Sequence, residues 1–304
     1  MDLNGKVAIV TGSGQGLGLA YATELAARGA AVVVNDVHDE TAANAVAQIE
    51  AAGGRAVAVV APVGSTETAQ ALVAKAVDAF GRLDVIVTNA GILRDKVLWK
   101  MADDDFDAVH NVHVRGTFTC VREAVLQFRE QGEGGRIICI GSPAGQRGNF
   151  GQTNYSGAKA AIVGMVRTWA MELRKAGITA NAVCPVAATA MTETIPFLAP
   201  YIEGMRKGEP LPEIIRRDVG MGTPDDVAGV IAFLASDASA DVTGQAISVG
   251  GDRLALWSHP QLTATAYRDG GFDADAVAAQ WPLTFAGELE SVGEEFPAQL
   301  TGAK

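Results

Sequence analysis

Short runs of β-branched and other apolar residues recur along the first 250 or so positions, and most are followed by a stretch with helical periodicity, often rich in Ala. The runs are Lys6–Thr11, Ala31–Asn35, Ala56–Ala61, Leu83–Thr88, Arg136–Gly141, Ile178–Cys184 and Ala246–Val249. A continuously apolar run is what a strand buried on both faces requires. Helical patterns lie near Leu17–Arg28, Glu40–Ala52, Thr66–Phe80, Asp104–Gln131, Asn154–Lys175 and Pro224–Ala235. Strands joined by helices make right-handed crossovers, hence parallel pairing. The expected fold is α/β: a doubly wound parallel sheet of about seven strands with helices on both faces.

This rhythm stops near Gly251, so residues 1–251 are read as one domain and 252–304 as an extension of different texture. The extension spreads Trp257, Tyr267, Phe272, Trp281, Phe285 and Phe296 among acidic residues and glycines. Such aromatics suit packing on the chain's own domain, where the extension would cover a wall of the substrate pocket, or on a neighbouring subunit. A partly ordered acidic tail is the plainer alternative.

A formal charge of −11 argues against nucleic acid or an anionic membrane as the main partner, since neither attracts a net anion. Cys120, Cys139 and Cys184 sit in apolar stretches without CxxC spacing. They read as reduced, buried thiols, with no metal role expected. The N-terminus does not have the basic-then-apolar pattern of a signal peptide, and no apolar run approaches the ~20 residues of a membrane helix. A soluble, cytoplasmic protein is expected.

The first strand runs into Thr11-Gly12-Ser13-Gly14-Gln15-Gly16-Leu17-Gly18, which opens the first helix. Glycines there let the backbone turn sharply and approach a pyrophosphate at the helix N-terminus. A tight strand-to-helix turn would use the same residues. Asp36 ends the second strand about 20 residues on, where a carboxylate accepts from an adenosine ribose and repels a 2′-phosphate. NAD is therefore expected over NADP. Farther along, Tyr155 and Lys159 stand at i and i+4, on one helix face. An ammonium favours a nearby phenolate, so the pair suits a general base. Ser142, at the end of the fifth strand, is placed to hydrogen-bond the same substrate oxygen.

Together these motifs resemble the short-chain dehydrogenase/reductase family over roughly residues 4–251, with Thr88-Asn89-Ala90-Gly91 and Thr243-Gly244-Gln245 as further matches. The resemblance implies a Rossmann-type sheet and hydride transfer between a nicotinamide and a hydroxyl or ketone. It implies that Tyr155 is the acid/base, that Lys159 lowers its pKa and holds the nicotinamide ribose, and that Ser142 polarises the substrate oxygen. The implied cofactor set is Gly12, Ser13, Gln15, Gly16, Leu17, Gly18, Asp36, Val63, Asn89, Ala90, Gly91, Tyr155, Lys159, Pro185, Ala188, Thr189 and Met191.

Departures narrow the resemblance. His113 stands where most members carry Asn, and Pro185-Val186 replaces Pro-Gly. With Val34-Asn35-Asp36 and Val112-His113-Val114-Arg115-Gly116 these are similar to the (3R)-hydroxyacyl-CoA dehydrogenase part of peroxisomal multifunctional enzyme type 2 and its free-standing actinobacterial relatives. His113 then supports a proton relay through its main chain, its ring merely packing; direct shuttling by the imidazole is the other reading. Pro62 stands where a residue near the adenine is often polar.

The expected activity is NAD-dependent oxidation of a bulky, acyl-CoA or steroid-like secondary alcohol. The alternatives are a 3-oxoacyl-[acyl-carrier-protein] reductase and a non-catalytic cofactor-binding regulator. A homodimer or homotetramer is expected, paired through the helices near Asp104–Gln131 and Asn154–Lys175. Specificity is expected in residues 186–222, whose apolar residues suit either a lid or an ordinary loop-helix excursion.

Overall fold

In a computed structural model, residues 1–188 and 198–301 are described. Strands β1 (Val7–Val10), β2 (Ala31–Asp36), β3 (Arg55–Val60), β4 (Val85–Thr88), β5 (Gly135–Ile140), β6 (Ile178–Pro185) and β7 (Ala246–Gly250) form a parallel sheet in the order β3-β2-β1-β4-β5-β6-β7. Helices α1 (Gly16–Ala27), α2 (Asp39–Ala51) and α9 (Asp225–Ala235) cover one face, and α3 (Thr66–Phe80), α5 (Gly116–Gln131) and α7 (Thr153–Leu173) cover the other. Alternate strand residues feed the two cores: Ala8, Val10, Val32 and Val34 face the first, Val7, Ile9, Ala31 and Val33 the second. That two-sided burial is why these strands read as unbroken apolar runs.

Strand order reverses between β1 and β4, which opens a crevice at the carboxyl ends of the strands. Two features differ from the sequence reading. An eighth strand, β8 (Arg253–Trp257), pairs antiparallel with β7 at the sheet edge. Gly251, at φ +51, makes the hairpin between them. The long pattern from Asp104 to Gln131 is α4 (Asp103–His110) and α5 joined by a π-turn over Asn111–Arg115. Short helices α6 (Pro143–Arg147) and α8 (Ala199–Arg206) also escape the periodicity argument, being too brief to show a period. In the extension, α10 (Ala274–Thr284) stands out from the body, with Tyr267 and Trp281 exposed, and Trp257 and Phe285 partly covered. Among the described residues, no helix is long and apolar enough to cross a membrane.

Candidate active site

The glycine loop is braced from behind. Ser13 is fully buried, its Oγ donating to Val10 O (2.7 Å) and accepting from Asn35 N (3.1 Å). Asn89 Nδ2 donates to the carbonyls of Thr11 and Gly12, both at 3.0 Å. The glycines are needed for space. A Cβ on Gly18 would strike Gly12 O, and one on Gly14 would lie 2.6 Å from Asp36 Oδ2. Gly12 sits at φ +62 against Ala90.

The N-cap of α1, Gln15, makes no side-chain cap, and the first turn holds no acidic residue. Its leading N–H groups therefore stay available to an anion. Asp36 accepts from Gly14 N and His38 N, both at 3.1 Å, which fixes its carboxylate at the end of β2. Two oxygens offer about four acceptor sites, so capacity is left for ribose hydroxyls. These residues fit a dinucleotide.

The chemical end is built by β5, α6 and α7. Ser142 caps α6, its Oγ accepting from Ala144 N at 3.2 Å. Gly145 lets α6 lie against the α7 backbone, where a Cβ would come within 2.6 Å of Lys159 C. The Asn154 side chain is fully buried and binds Arg94 O (3.0 Å), Asp105 O (3.1 Å) and Tyr155 N (2.8 Å), so it anchors the first turn of α7 that carries Tyr155.

Lys159 is buried, and its Nζ donates to Ile140 O at 2.7 Å while lying 5.5 Å from the Tyr155 ring centroid. Desolvation pulls its pKa down to about 8. Burial pushes the Tyr155 phenol up to about 12, against the hydrogen bond from Ser142. The resemblance implies a lowered phenol pKa; in this geometry burial outweighs the Ser142 hydrogen bond, and the Lys159 Nζ is engaged with Ile140 O.

His113 is buried in the π-turn with its ring edge-on to Tyr155, centroids 5.3 Å apart. Its Nε2 lies 3.1 Å from Ile92 N and 2.9 Å from Ile92 O, while its Nδ1 has no hydrogen-bond partner among the described residues. The ring fills the space beside Gly91, where a Cβ would strike Cε1. Burial, with help from the Lys159 charge, holds its pKa down to about 3. An imidazole that stays neutral across physiological pH does not shuttle protons by titrating there.

One cleft of about 1010 Å³ gathers Gly12, Gln15, Gly16, Leu17, Gly18, Asp36, Val63, Asn89, Ala90, Gly91, His113, Ser142, Tyr155, Lys159, Pro185 and Ala188. Ser13 is the exception, turned inward to hold β1 to β2. Thr189 and Met191 lie outside the described residues. Sequence reasoning missed Leu93, Asp95 and Phe150, which also line the cleft. It also did not single out Glu294 as a cleft residue or give Phe296 a specific place there. Leu93 and Asp95 belong to the stretch Gly91-Ile92-Leu93-Arg94-Asp95-Lys96, which shares the hydroxyacyl-CoA dehydrogenase resemblance but names no role for them; Phe150, Glu294 and Phe296 meet the site only through the fold.

The family described as enoyl-(acyl carrier protein) reductase matches residues 12–251. The chain belongs to the short-chain dehydrogenase/reductases. It is 40% identical over 299 residues to "Hydroxyacyl-CoA dehydrogenase ChsB1" of Mycobacterium tuberculosis, covering 94% of this chain and 90% of that one. It is 44% identical over 252 residues to a "3-oxoacyl-[acyl-carrier-protein] reductase" of Synechocystis, covering 82% and 97%. A crystal structure of a short-chain dehydrogenase from Mycobacterium avium superposes with a TM-score of 0.81 at 31% identity, covering 98% of this chain and 100% of that chain. This short-chain dehydrogenase/reductase is an oxidoreductase of hydroxyl and keto groups, of a family that binds NAD or NADP.

Proposed function

We propose that this short-chain dehydrogenase oxidises 3-hydroxyacyl-CoA substrates with NAD. The observation that carries the cofactor choice is Asp36, fixed by two backbone N–H groups at the end of β2, where a 2′-phosphate would meet its charge. No Lys or Arg follows at Val37, His38 or Asp39. The acyl-CoA reading draws support from the mycobacterial relative, which the chain matches almost end to end. A carrier-protein reductase is the runner-up, supported by the cyanobacterial relative.

Bound NAD supplies the hydride acceptor. The chain's own residues handle the proton and the geometry. Ser142 and Tyr155 hold the substrate oxygen between two hydroxyls. Tyr155 accepts the proton as the alcohol becomes a ketone, and returns it in the reverse direction. Its phenol sits near 12, so the step needs stabilisation of the phenolate, and Lys159 is the cation within reach. His113 packs the ring of Tyr155 from its edge and supports the Gly91-Ile92 turn.

The test compares turnover of a 3-hydroxyacyl-CoA, a 3-oxoacyl-[acyl-carrier protein] and a hydroxysteroid with the matched dinucleotides. The acyl-CoA should give the highest kcat/KM; a carrier-protein substrate that beats it overturns the substrate reading. We further read the protein as a homodimer or homotetramer, since Phe118 and Leu126 on α5 and Met171 on α7 are left exposed. A monomer by light scattering at micromolar concentration contradicts that.

A further inference from the structure

The end of the extension returns to the cleft. Arg147, the last residue of α6, holds it through its guanidinium and its main chain. Nε donates to Gly293 O (2.7 Å), and Nη2 donates to Ser291 O (3.3 Å), Ser291 Oγ (3.1 Å) and Glu295 Oε1 (3.3 Å). In return Gly293 N donates to Arg147 O at 2.7 Å. Ser291 Oγ closes the loop by donating to Glu295 Oε1, also at 2.7 Å. One side chain thus ties α6 to a segment 144 to 148 residues away. A single surface ion pair would do little; four guanidinium bonds plus a backbone bond fix a position.

What the clasp positions is a wall. Glu294 and Phe296 both line the cleft that holds Tyr155. Phe296 packs on the small core of Leu198, Ile202 and Val219, beyond the carboxyl ends of the strands. Asp95 lines the same cleft. Among the described lining residues, Lys159 is the sole Lys or Arg, and it is buried on Ile140 O. The substrate end is therefore apolar in its body and negative at two points.

We propose that Gly293–Phe296, clasped by Arg147, is the specificity-determining far wall of the substrate cleft, and that Glu294 turns away acyl groups ending in a carboxylate. The inference rests on the acyl-CoA reading given above. Glu294 is an exposed residue at the cleft, where the charges of Arg253 and Arg147 favour its carboxylate form against desolvation.

The experiment uses two 3-hydroxyacyl-CoA thioesters of equal chain length, one ending in a methyl and one in a carboxylate. Both kcat/KM and binding by calorimetry are measured on the full-length protein. Wild type should prefer the methyl-ended thioester. In Glu294→Gln that preference should fall roughly tenfold, the size expected for removing one like-charge contact. Arg147→Ala should raise KM for the methyl-ended thioester several-fold and leave kcat and NADH affinity in place, because Arg147 touches the wall and not the cofactor cleft. An unchanged preference in Glu294→Gln overturns the inference while the acyl-CoA reading stands. Equal loss of NADH and thioester binding in Arg147→Ala also overturns it, since the clasp would then be a general structural brace. If neither thioester binds wild type, inference and acyl-CoA reading fall together.

Discussion

The two halves of the cleft are made differently. The dinucleotide half is assembled from β1, α1, β2 and β4, within the first 91 residues, and its backbone is held by buried bonds such as Ser13 to Val10 and Asn89 to Gly12. The substrate half joins Leu93, Phe150, Leu198 and Phe296, drawn from loops and from the far end of the chain. The first half is braced by its own hydrogen bonds. The second is held at its margin by a single arginine clasp. On the proposed function, the cofactor side rests on local sequence, while the substrate side draws on dispersed segments, of which Leu198 lies in the stretch expected to carry specificity and Phe150 and Phe296 do not.

The strongest way to break this division is at the junction of the halves. Tyr155→Phe should remove at least about a thousandfold of turnover, as loss of an acid/base group does, with NADH affinity close to wild type. Parallel loss of NADH binding would mean that the hydroxyl belongs to the dinucleotide half.

Lys159→Met is expected to abolish useful turnover as well, and it carries a second signature. Folding holds the Lys159 pKa at about 8, below its ordinary 10.5. Carrying its charge therefore costs the native state stability at pH values below about 8, and this cost fades as pH rises toward 10.5. The variant should melt a few degrees higher at pH 7, less the lost bond to Ile140 O, with the gain shrinking in alkali. A lower Tm at pH 7 would show that the hydrogen bond outweighs the buried charge.

A smaller effect is expected at His113. Its folded pKa of about 3 lies below the ordinary 6.5, so the unfolded chain binds a proton that the native state refuses. Its contribution is full above about 6.5 and is lost as pH falls toward 3. His113→Asn, the residue most of the family carries there, should flatten the acid side of the stability curve and lower kcat only several-fold. A large change in the pH profile of kcat would restore the proton-shuttle reading.

Much of this was legible from residues alone. Buried parallel strands print as unbroken apolar runs, so β1 to β7 could be placed to within a residue or two. The glycine loop, Asp36 and the Tyr155/Lys159 pair stand on single elements, where spacing translates directly into geometry. Strand β8 was hidden because Leu254 and Leu256 alternate with nothing buried on an exposed edge. Ser13 looked like part of the phosphate loop, yet its hydroxyl serves the β1–β2 contact. Glu294 gave no sign, because a carboxylate in an acidic tail reads as solvated until the fold brings Arg147 beside it.

The central claim is that Asp36 and the Ser142/Tyr155/Lys159 face together make an NAD-dependent alcohol dehydrogenase. The most direct test is kcat/KM for NAD against NADP, measured with wild type and Asp36→Ala on the same 3-hydroxyacyl-CoA. Wild type should favour NAD by at least about tenfold, as charge repulsion against a 2′-phosphate requires, and the variant should lose most of that preference. Equal values for the two cofactors in wild type, or a higher value with NADP, would contradict the account.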